Sequence, residues 1–208
     1  MPKKPDKCSL KIVSINDSET HYIYNAVPYI RAVNKEANET VPSYYVRKIS
    51  VPIHNTNRNI TCDNWFSSVP LFEKMKNDKK ITMVGTIRKN KPQIPASFKK
   101  VPSDGSKAQF GYHNGMTLVS YNPNKKNIIL LLSLLHPQDK MDEEANKPGI
   151  VLFYNKSKVV WIAMKKNVMI TLLRVKLVDG QCDFFMECLI KPLPTRTFCT
   201  LSMQKMNL

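Results

Sequence analysis

The run Arg58-Asn59-Ile60-Thr61-Cys62-Asp63 carries an apolar, β-prone segment to a single carboxylate, immediately before the amphipathic stretch that opens with Asn64-Trp65-Phe66. In an open sheet flanked by helices, ligands and metals bind in the crevice outside the carboxyl ends of the strands. An aspartate placed there can offer oxygen to a hard cation. The same residue type is also a good helix N-cap, so Asp63 has a second assignment as the cap of a helix over about residues 65–75. The other residues with chemical potential are basic. Arg88 and Lys91 stand in Arg88-Lys89-Asn90-Lys91-Pro92, and the pairs Lys79-Lys80, Lys99-Lys100 and Lys125-Lys126 fit solvated loops. His21, alone in a strand, is given no catalytic part. Asp139, Asp142, Glu143 and Glu144 crowd a polar loop that they solvate.

Several elements must position these groups. Residues 9–15 alternate as a strand, Asn16-Asp17-Ser18 is a turn whose side chains bond their own backbone, and a second strand runs over about 20–25, giving an antiparallel hairpin. Tyr44, Tyr45, Val46 and Ile49 have helical spacing, and Pro52 ends that helix. The strand over 60–62 follows, then a helix carrying Val69, Leu71, Phe72 and Met75, then a strand over about 81–87. Trp65 and Phe66, at the strand-helix junction, are expected in the core. After residue 89 helical periodicity gives way to short apolar runs between Gly, Asn and Pro turns. Strands are expected at 109–112, 116–121, 128–135 and 150–154.

The composition bounds the partners. Among 208 residues, 32 Lys and Arg oppose 16 Asp and Glu, for a formal charge of +16 and a pI near 9.7. That balance favours a polyanion over an acidic small-molecule substrate, ribosomal-type or membrane-surface binding fits the same number equally well, and a hydrophobic share of 42% suffices for a buried core. Five cysteines with no C-x-x-C pair and no histidine at ligand spacing argue against a zinc site or a disulfide framework. Residues 128–135 form the longest apolar run, too short to cross a bilayer, so no membrane partner is expected. The amino terminus lacks the pattern of a secretory signal, and a nuclear or otherwise intracellular location is expected.

The segment R-N-I-T-C-D-N-W-F-S-S-V-P-L, followed by K-I-T-M-V-G-T-I-R-K-N-K-P-Q-I-P, resembles the catalytic core of the piggyBac family of DNA transposases. The likeness extends upstream through Met1-Pro2-Lys3-Lys4-Pro5-Asp6-Lys7, Ser14-Ile15-Asn16-Asp17-Ser18 and Tyr44-Tyr45-Val46. Downstream it runs through Leu118-Val119-Ser120-Tyr121 to Phe153-Tyr154-Asn155-Lys156. It implies an α/β fold: a partial ribonuclease-H-like catalytic domain over residues 1–89, and a β-rich insertion domain with a return strand over 90–158. It implies that Asp63 is the second of three metal-binding aspartates, and that Arg88 and Lys91 contact DNA near the active site. The family's partners are double-stranded DNA and a second copy of the transposase, and its cofactor is Mg²⁺. Its chemistry uses two divalent ions held by three carboxylates for in-line attack on a phosphodiester.

By the same resemblance, the first aspartate precedes the segment matching Met-Pro-Lys-Lys-Pro-Asp, and the third is expected directly after Lys158, where this chain has Val159-Val160-Trp161-Ile162. Trp161 is encoded TGG and Ile162 begins AT, so reading one base earlier gives GAT, an aspartate. Residues 159–208 are therefore expected to be a frame-shifted, poorly ordered tail. These readings lead to an expectation of a catalytically inactive transposase remnant, not an enzyme and with no stably bound metal. The alternative is a domesticated, non-catalytic DNA-binding or interaction protein. An active nuclease that borrows its missing carboxylates from a partner chain is a third reading.

Overall fold

The computed structural model describes residues 9–20, 22–102, 105–124, 127–158 and 199–207. Strands β1 (Ser9–Asp17) and β2 (Ile23–Pro28) form the expected antiparallel hairpin, with Val13 paired to Val27 and Ser14 to Ala26. The carboxylate of Asp17 closes the turn, its Oδ1 accepting the backbone N–H of Glu19 and of Thr20 at 2.7 Å each. Asp17 is thus a turn residue, as its Asn-Asp-Ser setting indicated.

Helix α1 (Val41–Ile49) starts three residues before the expected Tyr44, because Thr40 caps it through Ser43 N–H and Pro42 suits a first turn. Tyr45, Val46 and Ile49 form its buried face, and Pro52 falls in the short 3₁₀ turn that follows it. Strand β3 (Asn59–Cys62) is buried along its whole length and pairs in parallel with β4 (Thr82–Thr86), Ile60 beside Met83 and Cys62 beside Gly85. Between them runs helix α2 (Val69–Lys79), whose Leu71, Phe72 and Met75 face the core. Lys80, left-handed at φ 52°, ends this helix and sends the chain into β4.

Strands β5 (Ala108–His113), β6 (Met116–Asn124) and β7 (Asn127–Ser133) form an antiparallel meander. The change of composition after residue 89 does not break the sheet, since β7 pairs with β4 through Val84 to Ser133 and Thr86 to Leu131. The small ribbon β8 (Met141–Asp142) and β9 (Lys147–Pro148) then leads into helix α3, residues 149–158. The return strand expected at 150–154 is therefore a helix. Ile150, Val151, Tyr154 and Ser157 are its buried positions, a spacing of one, four and seven that fits one helical face.

Strand β10 (Cys199–Asn207) enters the centre of the sheet, antiparallel to β1 and parallel to β3. The full order is β2-β1-β10-β3-β4-β7-β6-β5. Of the tail expected to be frame-shifted, residues 159–198 lie outside the described residues. One core cluster joins Val13 and Ile15 of β1, Tyr45 and Ile49 of α1, Ile60 of β3 and Phe72 of α2. A smaller one joins Val84, Val119 and Leu131 to Ile150 and Tyr154, so α3 covers one face of the β4-β7-β6 region.

Phe72 is fully buried in the larger cluster. Phe72→Ala is expected to cost about 3–5 kcal/mol in denaturant unfolding, and a loss under about 1 kcal/mol would remove Phe72 from the core.

Candidate active-site cleft

Asp63 follows the last residue of β3, so the strand carries it to the carboxyl edge of the parallel pair. It does not cap a helix through the residues that follow it. Phe66 N–H bonds Asp63 O at 3.0 Å in a tight turn, and α2 begins only at Val69 with Ser68 as its N-cap. Asp63 is exposed, while Phe66 is buried and half-buried Trp65 stacks edge-on against it at 4.7 Å, as expected for core aromatics.

The turn is held from beneath by Ser67. Its hydroxyl donates to Asp63 O at 3.2 Å and lies 3.2 Å from the Cys62 thiol. Gly85 faces the same spot across the ladder. A methyl group there would lie 2.6 Å from Ser67 Oγ, 2.7 Å from Cys62 O and 2.8 Å from Cys62 Sγ. Glycine is required at this position for close approach of two backbones.

The carboxylate itself is oriented by two donors on Oδ1, the Asn64 N–H at 2.7 Å and the Thr86 hydroxyl at 3.3 Å. Thr86 Oγ1 also lies 3.4 Å from the hydroxyl of Tyr154, which α3 brings over the end of β4. Burial pushes the Tyr154 phenol up to about 12, against a smaller lowering by its contact with Thr86 and further raising by the charge of Asp63. Lys158, one turn later on α3, places its ammonium 5.8 Å from the centre of the Tyr154 ring. These groups line an open cleft of about 280 Å³ together with Ile87, Ile128, Ile129 and Leu130. Of the two basic candidates, Arg88 is exposed and lies beside the cleft, its Nε donating to Oδ1 of the cleft residue Asn64 at 3.2 Å. Lys91 is half-buried on the turn that follows, its N–H bonded to Arg88 O at 3.3 Å.

Thr86, Tyr154 and Lys158 escaped the sequence reading. Thr86 and Tyr154 both lay within segments quoted for their family likeness, but only the packing of α3 over β4 brings them to Asp63.

A divalent ion with a preference for oxygen would find one carboxylate here. Mg²⁺ demands about six oxygen ligands in near-octahedral geometry. Among the described residues no group of three or more His, Cys, Asp or Glu is placed to hold a metal. Asp63 therefore fits as one ligand of a centre and does not make one with its described neighbours. No helix of the described residues is long and apolar enough to cross a membrane.

A family model described as Transposase IS4 matches residues 1–169. The chain is also 36% identical, with a TM-score of 0.71, to a chain in the cryo-EM structure of a piggyBac transposase synaptic complex with hairpin DNA. That match covers 80% of this chain and 35% of the transposase, so the chain spans about a third of the protein it resembles. No curated protein matches it significantly. The likeness establishes the mixed α/β, ribonuclease-H-like transposase fold. It overturns the expectation that the chain is not an enzyme, because the matched family is an enzyme class. That expectation rested on counting carboxylates within this sequence, and such a count tests how many ligands are in view, not whether the class is enzymatic.

Two measurements check this geometry. Gly85→Ala is expected to lower stability by about 1–3 kcal/mol in denaturant, since the methyl meets backbone as well as side chain. An unchanged midpoint would mean that β4 and the Asp63 turn do not approach as described. The Tyr154 phenol should ionise near pH 12, so a tyrosinate absorbance titration of wild type minus Tyr154→Phe should show one step there. Its folded value lies above the ordinary 10.0, so its contribution to stability is complete below pH 10 and is lost as pH rises toward 12. A difference step near pH 10 would place Tyr154 in solvent.

Proposed function

Because the chain belongs to the IS4/piggyBac-type transposase family, we propose that it acts in DNA transposition, binding duplex DNA along the cleft edge that carries Asp63, Arg88 and Lys91. The observation that carries this reading is the placement of Asp63 at the carboxyl end of β3, with Arg88 joined to its turn through Asn64. A formal charge of +16 supplies the attraction, and phosphates neutralised by Arg and Lys give affinity with little sequence preference.

In this reading Arg88 and Lys91 hold the DNA backbone while Asn64 and Thr86 fix the direction of the Asp63 carboxylate. The family is of the DDE type, generally dependent on divalent metal. Asp63 is the residue of this chain suited to such an ion, which supplies electrophilic stabilisation at a phosphodiester when bound. The relative's DNA complex supports a duplex DNA partner. A second copy of the chain as partner and a nuclear location belong to the same reading.

The test is DNA binding as a function of salt. Wild-type affinity for a random duplex should fall steeply with ionic strength, and Arg88→Ala with Lys91→Ala should flatten the logarithmic slope by about 1–2. An unchanged slope removes both residues from the DNA. Asp63→Asn, measured in a chelator, should bind a few-fold tighter, because one carboxylate near phosphates costs about 1 kcal/mol or less in water. Weaker binding by that variant would set Asp63 away from the DNA path.

A further inference from the structure

Two chains of contact leave the same carboxylate oxygen. Oδ1 of Asp63 accepts the Asn64 N–H, and the side-chain carbonyl of Asn64 accepts from Arg88 Nε. The same Oδ1 accepts the Thr86 hydroxyl, which lies 3.4 Å from the hydroxyl of Tyr154. The Tyr154 ring in turn faces the ammonium of Lys158, 5.8 Å from its centre. Each chain thus ends on a cation, one from the turn after β4 and one from α3. Among the described residues neither cation takes part in an ion pair, whereas Arg47 and Lys74 on the helical flank are bonded to glutamates.

The place of Lys158 is fixed by the packing of α3. Asp139 Oδ2 accepts the Ile150 N–H where the helix begins, and Ile150 and Tyr154 are buried against Val84 of β4 and Leu131 of β7. Lys158 comes four residues after Tyr154 and therefore shares its side of the helix. It is exposed and lines the cleft that contains Asp63. A ring face attracts an ammonium without neutralising it, so the charge is held in position and stays available. Lys156 is exposed on the same helix but stands two residues away, turned from that side, and does not line the cleft.

The lining of the cleft strengthens this charge. Ile87, Ile129 and Leu130 present apolar surface beside Asp63, and low-dielectric walls focus the field of nearby cations. Asp63 is the one acidic residue among those that line the cleft. A lysine on an open surface is ordinarily solvated and does no more. Lys158 differs in three respects: it shares a cleft with the candidate metal ligand, it is seated on a buried ring, and it has no acidic partner among the described residues.

We propose that Lys158 is a further phosphate contact of the cleft, so that a DNA backbone passing Asp63 is held from α3 as well as from the turn that carries Arg88 and Lys91; this rests on the reading that DNA follows the cleft edge. A contact of this kind sets position and affinity and carries no sequence preference. It also gives the meander and the ribbon after it a part in DNA binding, since they aim α3 at the cleft.

The test measures binding of the full chain to a random duplex between about 50 and 200 mM salt. Lys158→Gln removes the charge and keeps a polar side chain of moderate length. It should release one counterion fewer, so the loss of affinity over that range should shrink by about three- to fourfold relative to wild type. Lys158→Arg should keep the wild-type slope. Lys156→Gln takes the same charge from the same helix outside the cleft, and should keep it as well. Flattening by Arg88→Ala with Lys91→Ala but not by Lys158→Gln overturns the Lys158 contact and leaves the DNA path along the cleft edge standing. Equal flattening by Lys156→Gln and Lys158→Gln traces the effect to net charge and overturns the contact too. If none of these variants changes the slope, the DNA path itself fails, and the contact with it.

Discussion

The close approach of β4 to the turn after β3 is the constraint on which the candidate site depends. Gly85 leaves room for Ser67 and Cys62, and Ser67 in turn ties down the carbonyl of Asp63. Because β3 and β4 run parallel in register, the residue after Gly85 is Thr86, which meets the carboxylate of Asp63. One small residue thereby fixes both the height of the acidic turn and its nearest hydroxyl. The buried thiol of Cys62, pushed up to about 12 chiefly by its burial, is a packing group in this arrangement and has little thiolate character.

Charge is distributed so that the cleft and the helical flank serve different ends. On the flank, Arg47 meets Glu39 at 2.9 Å and Glu36 at 3.4 Å, and Lys74 reaches Glu36 as well, linking α1 to α2. The guanidinium of Arg47 holds the Glu39 carboxyl below its ordinary range, although partly exposed pairs of this kind add little stability. Near the cleft, the Nε of Arg88 donates to the neutral amide of Asn64, and no ion pair of Arg88 is formed among the described residues. A guanidinium engaged with a neutral partner keeps its charge available to a polyanion, whereas one already bonded to two carboxylates does not.

The meander β5 to β7 matters to the site through a single ladder. Pairing of β7 with β4 continues the sheet past Thr86 and supplies Ile128 to Leu130 as one wall of the cleft. The ribbon that follows aims α3 at that wall: Asp139 Oδ2 accepts the Ile150 N–H at 3.0 Å at the start of the helix. From there Tyr154 and Lys158, one turn apart, arrive over β4. The insertion-like segment is in this way part of the same folded unit as the strand that bears Asp63.

Local sequence was enough for the hairpin, for α1 and α2, for β3 and β4, and for the placement of Asp63 at a strand's end, because each rests on periodicity, turn chemistry or a proline within a few residues. It also carried the family likeness and the basic character that favours DNA. It misassigned residues 150–154, where five consecutive hydrophobic residues suit a buried strand and a buried helix alike. Nor could it decide between Asp63 as cap and Asp63 at an open edge, since that turns on where α2 begins, and Ser68 with Pro70 moved that start to Val69. The gathering of Thr86, Tyr154 and Lys158 around Asp63, and the seating of residues 199–207 between β1 and β3, were decided by tertiary structure alone. Both join residues far apart in the chain, through backbone ladders and side-chain packing that no local pattern encodes.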